Sequence, residues 1–178
     1  VRSLSDMGTG GVVCFSAGFK EAGNNQTELD LIEATGNMAL IGPNCYGFAN
    51  FFDRVSLWPD QVTGMKVDRG VAFIAQSGTI SITMMRQRRS LPLGYVISLG
   101  NQQCLAAEDL IRYCAKDERV SAIGLYLEGI LDLQKFIEAV DYARSLGKPI
   151  ALIKAGRSEK GRRIANTHTG ALTGSDIL

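Results

Sequence analysis

Histidine is almost missing from this chain. His168 is the only one in 178 residues, which removes the imidazole clusters from which most zinc and copper sites are built. The four cysteines, Cys14, Cys45, Cys104 and Cys114, form no C-x-x-C pair and have no histidine at ligand spacing, so neither a metal site nor a disulfide framework is expected. They are expected to be reduced and mostly buried. Charge of one sign is missing too: the formal net charge of +1 leaves no basic field for nucleic acid and no acidic tail. No apolar run approaches the roughly 18 residues of a membrane span, and Arg2 and Asp6 interrupt any signal-like start. A cytoplasmic protein without a membrane partner is the expectation.

What the chain has is glycine, 20 residues of it, often placed directly after short apolar runs. Gly11 to Ala17 reads as a buried strand, residues 27 to about 36 as a short helix, and Met38 to Ile41 as a second strand closed by Gly42-Pro43-Asn44. The right-handed crossover makes these strands parallel. Residues 50 to 68 show no period and read as a connection centred on Trp58-Pro59-Asp60, with Trp58 as a packing anchor. From Gly70 onward strands and helices alternate. Strands are expected at 71–75, 95–98, 122–127 and 149–153, and helices from Ser77 to about Arg89, over 106–114 and over 132–145. Such alternation belongs to α/β folds with a doubly wound parallel sheet. Both ends of the chain are expected to be continued by further polypeptide.

In open parallel sheets ligands gather beyond the carboxyl ends of the strands, where helix N-termini present free N–H groups. Gln76-Ser77-Gly78-Thr79 stands at one such end and suits either a phosphate cradle or an ordinary serine cap. Leu99-Gly100-Asn101-Gln102 stands at the next. Glu128 closes a strictly apolar strand, where a carboxylate is not simply a solvated surface charge. The last strand leads through Lys154 to Ile164-Ala-Asn-Thr-His-Thr-Gly-Ala-Leu-Thr-Gly-Ser175, an anion-tolerant loop around His168. A neutral imidazole can attack phosphorus, and a carboxylate on its other nitrogen would fix the reactive tautomer. The expected constellation is His168 as nucleophile, Glu128 as orienting carboxylate, and a phosphate cradle at a helix N-terminus.

Six ordered segments resemble the nucleoside-diphosphate-forming acyl-CoA synthetases, related to the alpha subunit of succinyl-CoA ligase. They are Ile41-Gly-Pro-Asn-Cys-Tyr-Gly47, Gln76-Ser-Gly-Thr79, Ser98-Leu-Gly-Asn101, Tyr126-Leu-Glu-Gly129, Lys154-Ala-Gly-Arg-Ser158 and His168-Thr-Gly-Ala171. The resemblance implies that residues 1–53 are the tail of a Rossmann-like CoA-binding domain. Residues 54–68 would be a linker, and 69–178 a flavodoxin-like, succinyl-CoA ligase-like domain ending in a phosphohistidine loop. It implies phosphorylation of His168, a steadying role for Glu128, and phosphate held by Gln76, Ser77, Gly78, Thr79 and Gly170. Asn44, Cys45, Gly100 and Asn101 would lie near CoA and the acyl group, although Cys45 reads equally as a packed structural cysteine.

The implied reaction interconverts acyl-CoA, phosphate and NDP with carboxylic acid, CoA and NTP. Coenzyme A would be a substrate, and ATP/ADP or GTP/GDP with Mg would be bound by an ATP-grasp domain or subunit that this sequence lacks, in a homo- or hetero-oligomer. The stretch alone is expected to be inactive, since the glycine-rich turn that grips the CoA phosphates is also missing. An alternative is a non-catalytic CoA- or acyl-CoA-sensing module of a larger protein such as a protein acetyltransferase. A flavin site of the flavodoxin type is a weaker third reading.

Overall fold

The computed structural model describes residues 1–156. After a short helix α1 (Arg2–Asp6), strand β1 (Gly11–Val13) leads through a 3-10 turn at Lys20–Ala22 into helix α2 (Asn25–Thr35) and strand β2 (Ala39–Ile41). β1 and β2 pair in parallel as a two-stranded sheet, as the crossover rule requires. The first strand is shorter than its apolar run suggests: Cys14 N still donates to Ile41 O at 3.0 Å, but beyond it the chain leaves the ladder and the Ser16 carbonyl accepts from Asn44 N, in the turn after β2, at 2.9 Å.

The larger sheet is six-stranded, in the order β4-β3-β6-β5-β7-β8. Its members are β3 (Gly47–Asn50), β4 (Val55–Leu57), β5 (Gly70–Ala75), β6 (Leu93–Ser98), β7 (Val120–Leu127) and β8 (Ile150–Lys154), with helices α3 (Gly78–Arg86), α4 (Ala107–Lys116) and α5 (Leu133–Ser145) between the later strands. β6, β5, β7 and β8 are mutually parallel. β3 runs antiparallel to both β6 and β4. This corrects the sequence reading of residues 47–57 as the tail of one unit and the start of a linker: they are a hairpin at the edge of the second sheet. Its backbone groups find partners in that sheet, with Gly47 opposite Ser98 and Phe48 opposite Ile97.

Period-two alternation along β5 divides the core. Ala72 and Ile74 face the cluster built with α4 and α5, whereas Phe73 and Ala75 face α3 and Met85. Ile74, Val96, Leu125 and Leu127 are all but completely buried, each contributing roughly 2 kcal/mol of transfer free energy. α3 carries the chain from β5 to β6 on one side, and α4 carries it back past β5 to β7. The carboxyl end of β5 is therefore a point where the winding reverses, and such a point leaves a crevice.

Candidate functional site

At that reversal Gln76 and Ser77 connect β5 to α3. Ser77 has an extended backbone, φ −88° and ψ 120°, and its Oγ accepts from Ile80 N at 3.4 Å, so it is the N-cap that the local sequence suits. Capping does not exclude anion binding. The amides of Gly78 and Thr79, in the first turn, have no acceptor within their own helix and lie at the positive end of its dipole. Gly78 is required by contact: a Cβ there would lie 2.3 Å from Cδ2 of Tyr46. The Tyr46 ring in turn rests on Trp58, with centroids 5.4 Å apart, which gives Trp58 its anchoring role.

Glu128 follows the last residue of β7. Its amide and that of Gly129 both donate to Oε1 of Gln76, the second at 2.8 Å. The Glu128 carbonyl accepts from Nζ of Lys154 at 2.8 Å, and the Gly129 carbonyl from Nε2 of Gln102 at a long 3.5 Å. The sequence reading treats Gln76 as a phosphate ligand. In the structure its oxygen is bonded to backbone amides.

The turn after β2 supplies the facing side. Gly42 and Asn44 both have positive φ, 105° and 58°, around a cis Gly42–Pro43 peptide. Gly100, at φ 61°, lies against this turn so closely that a Cβ would sit 2.1 Å from the Pro43 carbonyl oxygen. Asn101 N donates to that same oxygen at 2.9 Å, and Tyr46 N donates to Ser98 Oγ at 3.1 Å. Cys45 is buried, its thiol directed to the carbonyls of Cys14 and Ile41 at 3.4 and 3.5 Å. Burial pushes that thiol up to about 12, so it is protonated at neutral pH and a poor nucleophile.

Together these elements enclose a cleft of about 250 Å³. Gln76, Ser77, Gly78 and Thr79 line it with Glu128, and Asn44, Cys45 and Gly100 line it from the facing turns. Phe15 and Tyr46, which the sequence reading did not single out, add aromatic surface. Tyr46 was legible as part of the Gly42-Pro-Asn-Cys-Tyr turn, but Phe15 carries no such signal. Asn101 is buried next to the cleft without lining it, its amide donating to Glu21 Oε2 at 2.7 Å and Glu28 Oε2 at 3.0 Å. His168 and Gly170 lie outside the described residues. Chemically, the cleft offers helix-terminal amides and hydroxyls to an anion, next to a carboxylate whose backbone is held by the side chains of Gln76 and Lys154.

The sequence model of a family described as Succinyl-CoA ligase like flavodoxin domain matches residues 68–178. A trans-feruloyl-CoA synthase from an unknown prokaryotic organism is 36% identical over 187 positions, covering 100% of this chain and 26% of that protein. The alpha subunit of an ADP-forming acetate–CoA ligase II from Pyrococcus furiosus is 38% identical over 176 positions, covering 96% of this chain and 38% of the subunit. Among solved structures, the dinucleotide forming acetyl-coenzyme A synthetase 1 of Ca. Korarchaeum cryptofilum, in complex with phosphate and ADP, superposes with a TM-score of 0.83 at 35% identity. That likeness covers 97% of this chain and 38% of the solved one. This chain thus corresponds to a part of each of these proteins.

Proposed function

The chain belongs to the succinyl-CoA ligase-like family of nucleoside-diphosphate-forming acyl-CoA ligases, and on that premise we propose that it forms the acyl-phosphate and phosphohistidine part of an acid–thiol ligase. The parallel strands β5 to β8 with helices α3 to α5 fall within the flavodoxin-like α/β domain of the family. β1 and β2 would belong to a Rossmann-like, CoA-binding portion. An ATP-grasp domain or subunit, on the same polypeptide or another, would hold ATP/ADP or GTP/GDP with magnesium.

In the proposed reaction a phosphate oxygen attacks the thioester carbonyl of acyl-CoA. The C–S bond breaks, CoA leaves and takes a proton, and acyl phosphate remains. A nitrogen of His168 then attacks phosphorus, the bond from phosphorus to the acyl oxygen breaks, and the carboxylate leaves. Finally the terminal oxygen of a nucleoside diphosphate takes the phosphoryl group from His168. A covalent carrier is needed because acyl and nucleotide sites cannot both contact one phosphorus atom. Phosphate would rest on Ser77, Gly78 and Thr79 at the N-terminus of α3, where it meets partial positive charge. Glu128 would accept a hydrogen bond from the second imidazole nitrogen and stabilise the phosphorylated ring.

The observation that carries this reading is the meeting of the α3 N-terminus, the Gly42 to Tyr46 turn and Glu128 around one cleft. The test uses the holoenzyme, this chain together with the nucleotide-binding part, incubated with ATP and magnesium. An acid-labile phosphate is expected on His168 by mass spectrometry, and His168→Ala should abolish both it and acyl-CoA-dependent NTP formation. Normal NTP formation by the His168→Ala enzyme would sink the assignment. CoA binding without phosphohistidine would favour a sensing module.

A further inference from the structure

We infer that Gln76 is a positioning residue for Glu128, acting through its side-chain oxygen on the backbone. The inference rests on the proposed role of Glu128 and adds what holds that carboxylate in place. Both amides and both carbonyls of the Glu128–Gly129 pair are hydrogen-bonded to side chains from elsewhere in the chain. Gln76 Oε1 receives the two N–H groups, Lys154 holds the Glu128 carbonyl and Gln102 the Gly129 carbonyl. A residue that ends a strand normally has backbone freedom into the following loop. Here that freedom is restrained at every backbone polar group of the pair.

Gln76 carries most of this restraint. It is 4% exposed, it satisfies both donors with one oxygen, and its own backbone is fixed because its amide donates to the Tyr126 carbonyl at 3.0 Å. Two amides converging on one side-chain atom also settle which end of the carboxamide is oxygen. That oxygen is an acceptor engaged by two amides and is no anion ligand itself; only the Nε2 end of Gln76 could donate to phosphate. The turn after β5 thus supplies both halves of the arrangement from neighbouring residues: Ser77 opens the helix that would receive phosphate, and Gln76 sets the carboxylate that would receive the imidazole.

The test measures phosphohistidine formation in the holoenzyme for Glu128→Gln, Gln76→Met and the double variant, with the KM for inorganic phosphate. Gln76→Met removes the acceptor and should slow the step roughly ten- to a hundredfold, as misplacement of a reacting group does. The KM for phosphate should change less than about twofold, because uniform binding is untouched. The double variant should be no slower than Glu128→Gln, since a residue acting through another has nothing left to position. Multiplicative losses, or a raised KM with an unchanged rate, would overturn the inference while leaving the phosphohistidine reading intact. Full activity of Glu128→Gln would overturn both the role of Glu128 and the inference built on it. Should Gln76→Met fail to fold, Gln76→Glu keeps an acceptor at the same atom. Its added charge should raise the KM for phosphate while the rate at saturating phosphate stays within a few-fold of the parent; a loss there equal to that of Glu128→Gln would overturn the proposal.

Discussion

Asn101 donates its side-chain amide to Oε2 of Glu21 at 2.7 Å, joining the turn after β6 to the 3-10 turn ahead of α2. The same nitrogen reaches Oε2 of Glu28 at 3.0 Å, and Glu28 is only 4% exposed. This clasp holds the small sheet's loop against the turn that carries Gly100 into the cleft. Burial works against the charge of Glu21, but hydrogen bonds from Asn101, Gly18 and Phe19 outweigh it and keep its carboxyl below the ordinary range.

Asn101→Ala should therefore destabilise the fold by about 2 kcal/mol, the cost of a buried charged acceptor losing its donor. That corresponds to a fall of roughly 4–8 °C in Tm for a chain of this size. The loss should shrink in a Glu28→Gln background, where one of the two stranded carboxylates is replaced by a neutral group. Thermal unfolding of the single and double variants checks it, and a drop unaffected by Glu28→Gln would mean that Glu28 takes no part in the loss.

The run from β5 to β8 was legible in the sequence because each strand there is an apolar segment, β5 and β6 being buried on both faces, and each helix carries an apolar stripe. The positions of Ser77, Gly78, Thr79 and Glu128 at strand ends followed from that winding alone. The β3–β4 hairpin was not legible: all of β4 is exposed, so it shows no alternation, and β3 is fixed by pairing with β6 far along the chain. Nothing in the local sequence of α2 marks Glu28 for burial. Only its partner across the fold explains its burial, and the same distance hid the bonds from Glu128 and Gly129 to Gln76.

Gly78→Ala isolates the contact between the helix terminus and Tyr46. Alanine is favoured over glycine inside a helix, yet the added Cβ would meet the Tyr46 ring at 2.3 Å. Net destabilisation of about 1–3 kcal/mol is expected from overpacking, with phosphate binding weakened as the turn shifts. In a Tyr46→Ala background the substitution should become neutral or stabilising. Equal penalties in the two backgrounds, measured by urea unfolding, would show that the ring is not what excludes a side chain.

The cysteines yield a prediction about chemistry. Burial pushes the thiols of both Cys45 and Cys114 up to about 12, so at pH 8 roughly one in ten thousand is thiolate. Cys14 and Cys104 are raised as well by burial, but both are partly exposed. Iodoacetamide at pH 8 should modify Cys14 and Cys104 in the native protein and reach Cys45 and Cys114 only in denaturant, as peptide mass spectrometry would show. Rapid native labelling of Cys45 would show that its thiol is not held buried against the Cys14 and Ile41 carbonyls.

Acid sensitivity should trace to Asp117 at the opposite end of the sheet. Its Oδ2 accepts from Arg119 Nη2 and from the Tyr95 hydroxyl, each at 2.8 Å, while Arg119 also reaches Asp53 at 2.8 Å and lies over the Phe52 ring. The network ties the β3–β4 connection to the foot of β7. The Arg119 hydrogen bond above all, against the opposing effect of burial, holds the Asp117 carboxyl at about 2. An unfolded chain would titrate it near 3.9. The folded state thus prefers the ionised form: its contribution to stability is complete above the unfolded value and disappears as pH falls through about 2. Because Arg119 is 40% exposed in its side chain, solvent screening reduces the effect, and Asp117→Asn should cost about 1 kcal/mol at neutral pH. Parent and variant should converge in stability between pH 4 and pH 2. A gap in unfolding free energy that is as wide at pH 2 as at pH 7 would assign the loss to packing around Tyr95 and remove ionisation from the account.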